Sequence, residues 1–317
     1  MALTSHNQLI LSVYIVTFVT GLPTNILAFY TFCMKVRRKP APIDILLLNL
    51  TISDLIFLLF LPFWMVEVLS GSWVLPNFLC PLSGFIFYST IYTSTFFLMG
   101  VSVERYFGVA YPIQYKMNRK PMYAVWVSIF FWVISTAHCT IVYIVQYQDP
   151  GNGTQNVSSC YDEFTVKQLK ILLPFRFEMC LVLFCFPFLI TSFCYINFIR
   201  ILTTLPNISH RRKQRAIGLA LGTLLVFILC FCPYNISHVV GFVKWESPAW
   251  RKDALLPSTF NACLDPIVFY FSSSEVQKSF RNCISGVLGK IQPIGSCKRF
   301  PVASTVDEQT ESSSNNL

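Results

Sequence analysis

The chain consists of long runs of apolar residues separated by short polar segments. Seven runs lie at about residues 8–34, 42–69, 77–110, 121–145, 172–203, 212–243 and 252–273. Each approaches or exceeds the ~20 residues that an α-helix needs to cross ~30 Å of hydrocarbon. The runs contain Pro and Gly, which membrane helices tolerate. The pattern predicts an all-α membrane protein, with a seven-transmembrane-helix bundle over residues 1–273.

The composition supports a membrane interior rather than a soluble core. Hydrophobic residues make up 54% of the 317 residues, aromatic residues 16% and charged residues only 12%. A soluble globular domain carries about 25% charged residues. The bilayer must therefore solvate much of the apolar surface.

Basic residues indicate how the bundle is oriented. They follow the odd-numbered runs, at Lys35, Arg37, Arg38, Lys39, Lys116, Arg119, Lys120, Arg211, Arg212 and Lys213. Positive loops stay in the cytoplasm, so the N-terminus is expected outside and the C-terminus inside. The first residues carry no pattern of a removable signal peptide. The net charge of +9 then belongs to the membrane faces, which argues against a nucleic-acid partner.

Two cysteines and two asparagines fall in the segments predicted to lie outside the cell. Cys80 begins the third run and Cys160 lies in the loop after the fourth, where the oxidising exterior favours a disulfide between them. Asn152 and Asn156 of the same loop are accessible N-glycosylation sequons. No cysteine or histidine spacing is typical of a zinc site, so no structural or catalytic metal is expected.

The segment after the seventh run has two predicted parts. Residues 274–290 place apolar residues at helical spacing and predict a short amphipathic eighth helix on the inner membrane face. Cys283 or Cys297 is either a palmitoylation site or a plain thiol. Residues 291–317 are polar, acidic and rich in hydroxyl groups, so we expect a disordered tail that kinases can phosphorylate.

A set of motifs, one in each run, carries a family resemblance. They are GLPTNILA with Asn25, LNLTISDL with Asp54, VERYFGVAYP, Trp132, Pro187, FILCFCPY with Phe231 and Pro233, and NACLDPIVFY with Asp265 and Pro266. Together they resemble the rhodopsin-like G-protein-coupled receptors. The chain departs from the family pattern at Asp265, where Asn is usual, and at Tyr270, which stands one place late.

Longer segments narrow the resemblance to the free fatty acid receptors. PAPIDILLLNLTISDL, VSVERYFGVAYPIQYK and LDPIVFYFSSS look most like the members for short-chain acids, and Tyr88 and Asp162 favour type 2 over type 3. The resemblance implies a ligand site in which two arginines hold the carboxylate beside histidines and tyrosines. The matching residues are Arg176, Arg251, His138, His238, Tyr88, Tyr92, Tyr161 and Tyr234.

The residues themselves leave the role of the arginines open. Arg176 at the edge of an apolar run is typical of an interfacial anchor that reaches for headgroups. Alternatively, the guanidinium groups of Arg176 and Arg251 together bind a ligand carboxylate. A planar guanidinium fits a carboxylate in bidentate fashion. Glu178 and Asp162 stand near enough in sequence to pair with the arginines, and Glu246 or Asp253 with Arg251. His138 and His238 have a structural reading as well as a ligand-contacting one, and Tyr161 either covers the pocket or only packs.

The resemblance also implies residues that transmit the signal. Glu104, Arg105 and Tyr106 resemble the cytoplasmic lock, and Phe231 with Pro233 resembles the pivot of the sixth helix. Intramembrane carboxylates are costly and usually functional. Those of Asp54 and Asp265, with Asn25, Ser94 and Asn261, resemble a site for an allosteric sodium ion, the alternative being two acids that share a proton.

The sequence thus predicts a multi-pass plasma-membrane receptor activated by acetate, propionate or butyrate. The resemblance implies coupling to heterotrimeric G proteins of the Gi/o and Gq/11 classes, and to arrestin through the phosphorylated tail. A receptor for another small anion, such as a hydroxy-acid, a longer fatty acid or a nucleotide, is the alternative. A small-anion transporter would require repeated halves, which are missing. No catalytic motif of a hydrolase or metalloprotease occurs, so no enzyme is expected.

Overall fold

A computed structural model describes residues 4–118, 120–147, 160–161, 164–206, 209–272, 277–278, 281–282 and 285. The side chains of residues 118, 211–212 and 269–272 are not described. Residues 1–280 form one compact unit, to which everything below refers, and residues 281–317 form another. The predicted sites at Asn152, Asn156, Asp162, Cys283 and Cys297 lie outside the described residues, as do most of the predicted eighth helix and the whole tail.

Within the described residues, seven helical spans follow one another along the chain. Span 1 is Ser5–Arg38, span 2 Pro42–Ser70 and span 3 Leu79–Ala110. Span 4 comprises Pro121–Cys139 and Ile141–Tyr147. Span 5 comprises Val166–Met179, Cys180–Cys185 and Phe186–Thr204; span 6 comprises His210–Val226, Phe227–Phe231 and Cys232–Lys244. Span 7 comprises Arg251–Thr259 and Asn261–Ser272.

Local sequence explains where several spans begin and end. The Thr4 hydroxyl accepts a hydrogen bond from the Asn7 N–H at 3.3 Å and caps span 1, while Thr165 and Gln168 form a capping box at the start of span 5. Span 2 ends at Gly71, whose φ of 69° is a left-handed conformation that glycine adopts without strain. Because of this capping box, span 5 begins at Val166, six residues before the predicted start at residue 172.

Six of the spans are long and apolar enough to cross a membrane. Span 7 is interrupted at Phe260, which the hydrophobic pattern did not show. A short helix, Pro112–Asn118, follows span 3 and was not predicted either. The outward sides of the spans are apolar: Leu59 is 64% exposed and Trp126 66%. Exposed apolar side chains are expected on a surface that contacts lipid, because lipid solvates them and water does not.

Span 3 runs through the centre of the bundle and packs against spans 2, 4 and 5, while span 1 packs against spans 2 and 7. Polar side chains join the spans inside this apolar interior. The Asn25 amide donates to the Ala262 carbonyl oxygen at 2.7 Å, and the Trp132 indole N–H donates to Asn49 Oδ1 at 3.1 Å. Each such bond satisfies groups that would be costly to bury alone.

Span 5 contains a π-helical segment, Cys180–Cys185, just before Pro187. Proline has no N–H to give to the carbonyl four residues earlier, here that of Leu183, and its ring clashes with it. The Thr95 hydroxyl from span 3 donates to this carbonyl at 2.9 Å. A neighbouring span thus satisfies the carbonyl group to which Pro187 cannot donate, as membrane helices require.

Candidate functional site

Both predicted arginines are buried inside the outer third of the bundle. Arg176 is 5% exposed and Arg251 is 4% exposed, although they belong to spans 5 and 7. Their guanidinium carbons lie 4.9 Å and 5.7 Å from the centre of the Phe164 ring, within reach of cation–π attraction. Side chains that reached for headgroups would be exposed, so the structure does not support the anchor interpretation.

The neighbouring acids are engaged elsewhere. Asp253 lies 3.4 Å from His6, and Glu178 Oε1 lies 3.2 Å from His138 Nε2. In the part of the chain that the structure describes, neither arginine lies within the 4 Å of an ion pair with a carboxylate. Nη2 of Arg176 is buried and has no hydrogen-bond partner among these residues. Two buried cations therefore share one aromatic neighbour and lack a described counterion.

Tyr161 covers the two arginines at the end of the bundle that is predicted to face outside the cell. It has a left-handed φ of 54°, and its carbonyl oxygen accepts a hydrogen bond from Arg251 Nη2 at 3.2 Å. The preceding Cys160 is joined to Cys80 by a disulfide, and its N–H donates to Glu67 Oε1 at 2.6 Å. Burial raises the pKa of Tyr161 to about 12, so the phenol is neutral at physiological pH. The predicted disulfide is present and fixes this cover.

The remaining tyrosines and His238 line the site below this cover. The Tyr92 hydroxyl lies 3.2 Å from His238 Nε2, and both side chains are buried. Tyr234 packs its ring against His238, with centroids 4.4 Å apart, and stacks on Tyr88 at 5.9 Å. His238 Nδ1 has no described partner. One imidazole nitrogen thus remains for a further hydrogen bond.

His138 lies apart from this cluster. Its Nδ1 donates to the Ile134 carbonyl oxygen at 2.8 Å, and its Nε2 faces Glu178. It does not line the pocket beside Arg176 and His238. The geometry therefore supports a structural role for His138, joining spans 4 and 5, and a direct ligand contact finds no support.

Two cavities meet at the wall formed by Tyr88 and Tyr161, whose ring centres are 5.5 Å apart. A small pocket of about 20 Å³ lies on the Arg176 side and includes Tyr92, Tyr234 and His238. A larger cavity of about 220 Å³ lies on the Arg251 side, between spans 1, 2, 3 and 7. The sequence predicted one hole shared by both arginines, whereas here each arginine lines its own cavity.

The family model described as "7 transmembrane receptor (rhodopsin family)" matches residues 24–269, which is most of the chain. The chain belongs to the rhodopsin family of seven-transmembrane receptors. It is therefore a multi-pass plasma-membrane receptor, with heterotrimeric G proteins as the partners of its family.

Individual relatives place the receptor more finely. "Free fatty acid receptor 2" of Mus musculus is 51% identical over 296 residues, covering 90% of each chain. "Free fatty acid receptor 3" of Mus musculus is 50% identical over 287 residues, covering 90% of this chain and 89% of the relative. "Free fatty acid receptor 2" of Homo sapiens is 49% identical over 298 residues, covering 90% and 89%. The receptor belongs to the free fatty acid receptor subfamily; these identities do not separate types 2 and 3.

A second polar cluster lies deeper in the receptor, around two buried carboxyl groups. Asn261 Nδ2 donates to Asp265 Oδ2 at 3.0 Å, and Ser94 lies 3.3 Å from the Ser53 hydroxyl. Asp54 Oδ2 and Asp265 Oδ1 are buried without a described hydrogen-bond partner, as are Oδ1 of Asn25 and Oδ1 of Asn261. Oxygen donors of this kind suit a hard cation. The Asp54 and Asp265 carboxyl groups interact with each other, and Asn261 joins them. These groups fit either a sodium ion or a shared proton, whereas the described hydrogen bonds of Asn25 and Ser94 go to other residues.

At the end of the bundle predicted to face the cytoplasm, the predicted lock residues contact neighbouring elements. Glu104 Oε2 accepts a hydrogen bond from the Tyr115 hydroxyl of the short helix at 2.6 Å. The Tyr106 ring packs edge-on against Phe193 of span 5 at 6.0 Å. In span 6, Phe231 is buried against Phe227 at the end of a π-helical segment, directly before Cys232 and Pro233. Pro266 is buried in span 7 beside Asp265.

Sequence reasoning missed two residues of the candidate site. Phe164 lies against both guanidiniums, and its only signal was an aromatic residue directly before the Thr165 cap. Glu67 anchors Cys160 from span 2, and its signal was an acid buried near the end of an apolar run. Both act across the bundle, so no short motif contained them.

Proposed function

We propose that this receptor is activated by short-chain carboxylates such as acetate, propionate and butyrate. The observation that carries the proposal is the pair of buried arginines without a described acidic partner. An uncompensated buried charge is costly, so a carboxylate that binds the arginines removes that cost. Its charge-assisted hydrogen bonds are strong there because the site excludes competing water. The names of the relatives, free fatty acid receptors 2 and 3, support the same class of ligand.

The affinity for such a ligand should be weak. A charge-assisted hydrogen bond contributes about 1.5–3 kcal/mol net, and a buried methylene about 0.8 kcal/mol. Propionate can accept two such bonds with its carboxylate and bury two tail carbons, which gives roughly 5–8 kcal/mol before the costs of association. A dissociation constant of 1 mM corresponds to about 4 kcal/mol. Esterification removes the larger share, so methyl propionate should be inactive.

The geometry suggests how binding changes the receptor. The pocket of about 20 Å³ holds roughly one water molecule. An acid that reaches Arg176 must therefore widen it, which displaces the Tyr88–Tyr161 wall and brings Arg176 and Arg251 onto one anion. His238 connects this change to span 6. The ligand thereby favours the bundle in which it binds better, and the equilibrium shifts toward that state.

The signal then passes along span 6 toward the cytoplasm. Phe231 and Pro233, beside the π-helical segment, serve as the pivot. Movement of span 6 exposes Arg105 to a G protein of the Gi/o or Gq/11 class. A phosphorylated tail would recruit arrestin, and a sodium ion between Asp54 and Asp265 would stabilise the resting state.

The test replaces each arginine separately. Arg176→Ala and Arg251→Ala should each raise the propionate EC50 at least 30-fold or abolish the response, measured as G-protein activation in cells with matched surface expression. Lys170→Ala is the matched control, because Lys170 is an exposed cation on the same span as Arg176. An unchanged EC50 in either arginine variant, with normal expression, would reject the proposal.

A further inference from the structure

The cavity on the Arg251 side, called here the outer vestibule, extends toward the extracellular ends of spans 1, 2 and 7. Its volume of about 220 Å³ is eleven times the 20 Å³ of the pocket beside Arg176. It reaches Gly71 at the end of span 2 and His6 near the N-terminus. The His6 side chain is 55% exposed. Among the described residues, the vestibule is therefore lined at this end by an exposed side chain.

The vestibule combines an apolar surface with fixed charges. Ile10, Trp64, Val68 and Leu255 provide apolar side chains from spans 1, 2 and 7. Arg251 and Lys252 line it from the start of span 7, and Glu67 is the acid among the described residues of the lining. One oxygen of Glu67 accepts a hydrogen bond from the Cys160 N–H at 2.6 Å, so this carboxylate is held by the segment that covers the site. The lining is thus amphipathic and suited to an organic anion.

Arg251 retains hydrogen-bonding capacity toward this cavity. A guanidinium carries five N–H donors. One of those of Arg251 meets the Tyr161 carbonyl oxygen at 3.2 Å, and no described carboxylate pairs with it. The Tyr88–Tyr161 wall separates this side from Arg176, so a carboxylate can approach Arg251 from the vestibule while the small pocket stays closed.

We propose that the outer vestibule is a second subsite that takes carboxylic acids with an aryl or branched body. The carboxylate binds Arg251, and the body packs against Trp64, Val68 and Leu255. The small pocket has no room for a six-membered ring, whereas the vestibule has. The inference rests on the proposed function because Arg251 serves both subsites, but the vestibule wall is distinct from Arg176 and His238.

The test fills the vestibule and leaves the small pocket intact. Val68→Trp adds a bulky ring to the wall, and Leu69→Trp is the matched control because Leu69 is 55% exposed on the lipid side of the next position. The probes are propionate, 4-phenylbutyrate and methyl 4-phenylbutyrate. The aryl acid is read either as activation or as a rightward shift of the propionate curve, at equal surface expression.

We expect Val68→Trp to weaken the effect of 4-phenylbutyrate at least tenfold while the propionate EC50 changes by less than threefold. Leu69→Trp should change neither, and the methyl ester should be inactive on the unmodified receptor. If Val68→Trp reaches the surface poorly, Leu255→Phe provides the same comparison. An aryl acid without effect on the unmodified receptor, or equally effective after the vestibule is filled, overturns the subsite. If the unmodified receptor does not respond to propionate, the proposed function is contradicted instead. The two failures are therefore distinguishable.

Discussion

Tyr92 and His238 join spans 3 and 6 through one buried hydrogen bond, and their removal gives a quantitative test. The Tyr92 hydroxyl and His238 Nε2 are 3.2 Å apart, and the residues are 1% and 2% exposed. Removing one partner leaves the other buried and unsatisfied, which costs about 1–3 kcal/mol. Replacing both by apolar rings removes the bond and the penalty together, so the double variant should cost far less than the sum.

The perturbation is therefore a double-mutant cycle with Tyr92→Phe and His238→Phe. Each single variant should lower the Tm of the purified, detergent-solubilised receptor by several degrees, since 1 kcal/mol corresponds to roughly 2–4 °C in a chain somewhat smaller than this. The double variant should have a Tm no lower than the worse single variant. The coupling free energy is then about 1–3 kcal/mol.

The control pairs His238→Phe with Tyr143→Phe. Tyr143 stacks on Tyr147 near the end of span 4 and has no described contact with His238. Its effect should add to that of His238→Phe within about 0.5 kcal/mol. If the Tyr92 and His238 effects also add in this way, the hydrogen bond does not contribute as the structure implies, and the reasoning is refuted.

Three further predictions follow from buried polar contacts. Glu67→Ala removes the acceptor of the Cys160 N–H and should raise the propionate EC50 about tenfold. Glu67→Gln keeps an oxygen acceptor and should retain most of the potency. Equal effects of the two substitutions would argue that this hydrogen bond does not hold the extracellular cover. Thr95→Val leaves the Leu183 carbonyl unsatisfied and should lower Tm by several degrees, as measured by thermal unfolding; an unchanged Tm would contradict this. Cys80→Ser should reduce surface delivery, measured by antibody labelling of intact cells; normal delivery with normal potency would show that the disulfide is dispensable.

The seven-span architecture could be predicted because its cause is local. A run of ~20 apolar residues forms a helix in lipid whatever its neighbours are, since the backbone must satisfy its own hydrogen bonds there. The interruption at Phe260 could not be predicted in this way. Pro257 and Pro266 lie on either side of Phe260, but proline occurs both in membrane helices that continue and in helices that stop. Packing against spans 1, 2 and 6 therefore decides where span 7 is interrupted.

The site was predicted in its composition but less well in its partners. Arg176, Arg251 and His238 converge because their spans bring them to the same depth. Which acid engages which base depends on side-chain direction across the bundle, and Glu178 therefore pairs with His138 rather than Arg176. The separation of the two arginines by Tyr88 and Tyr161 has the same origin, because it depends on a loop fixed by a disulfide.

The π-helical segment Cys180–Cys185 also sets the direction in which Arg176 points. Each residue of an α-helix turns the chain by about 100° and advances it by about 1.5 Å. If the same six residues ran as a regular α-helix with no residue deleted, the outer half of span 5 would turn by about 100°, the angle of one residue. Arg176 would then face another side of the bundle while every residue below Pro187 stayed in place. Deleting one residue from the segment would remove the extra residue together with the wide turn, so a shortened span 5 should fold, reach the cell surface and keep Arg176 on the side that faces the acid.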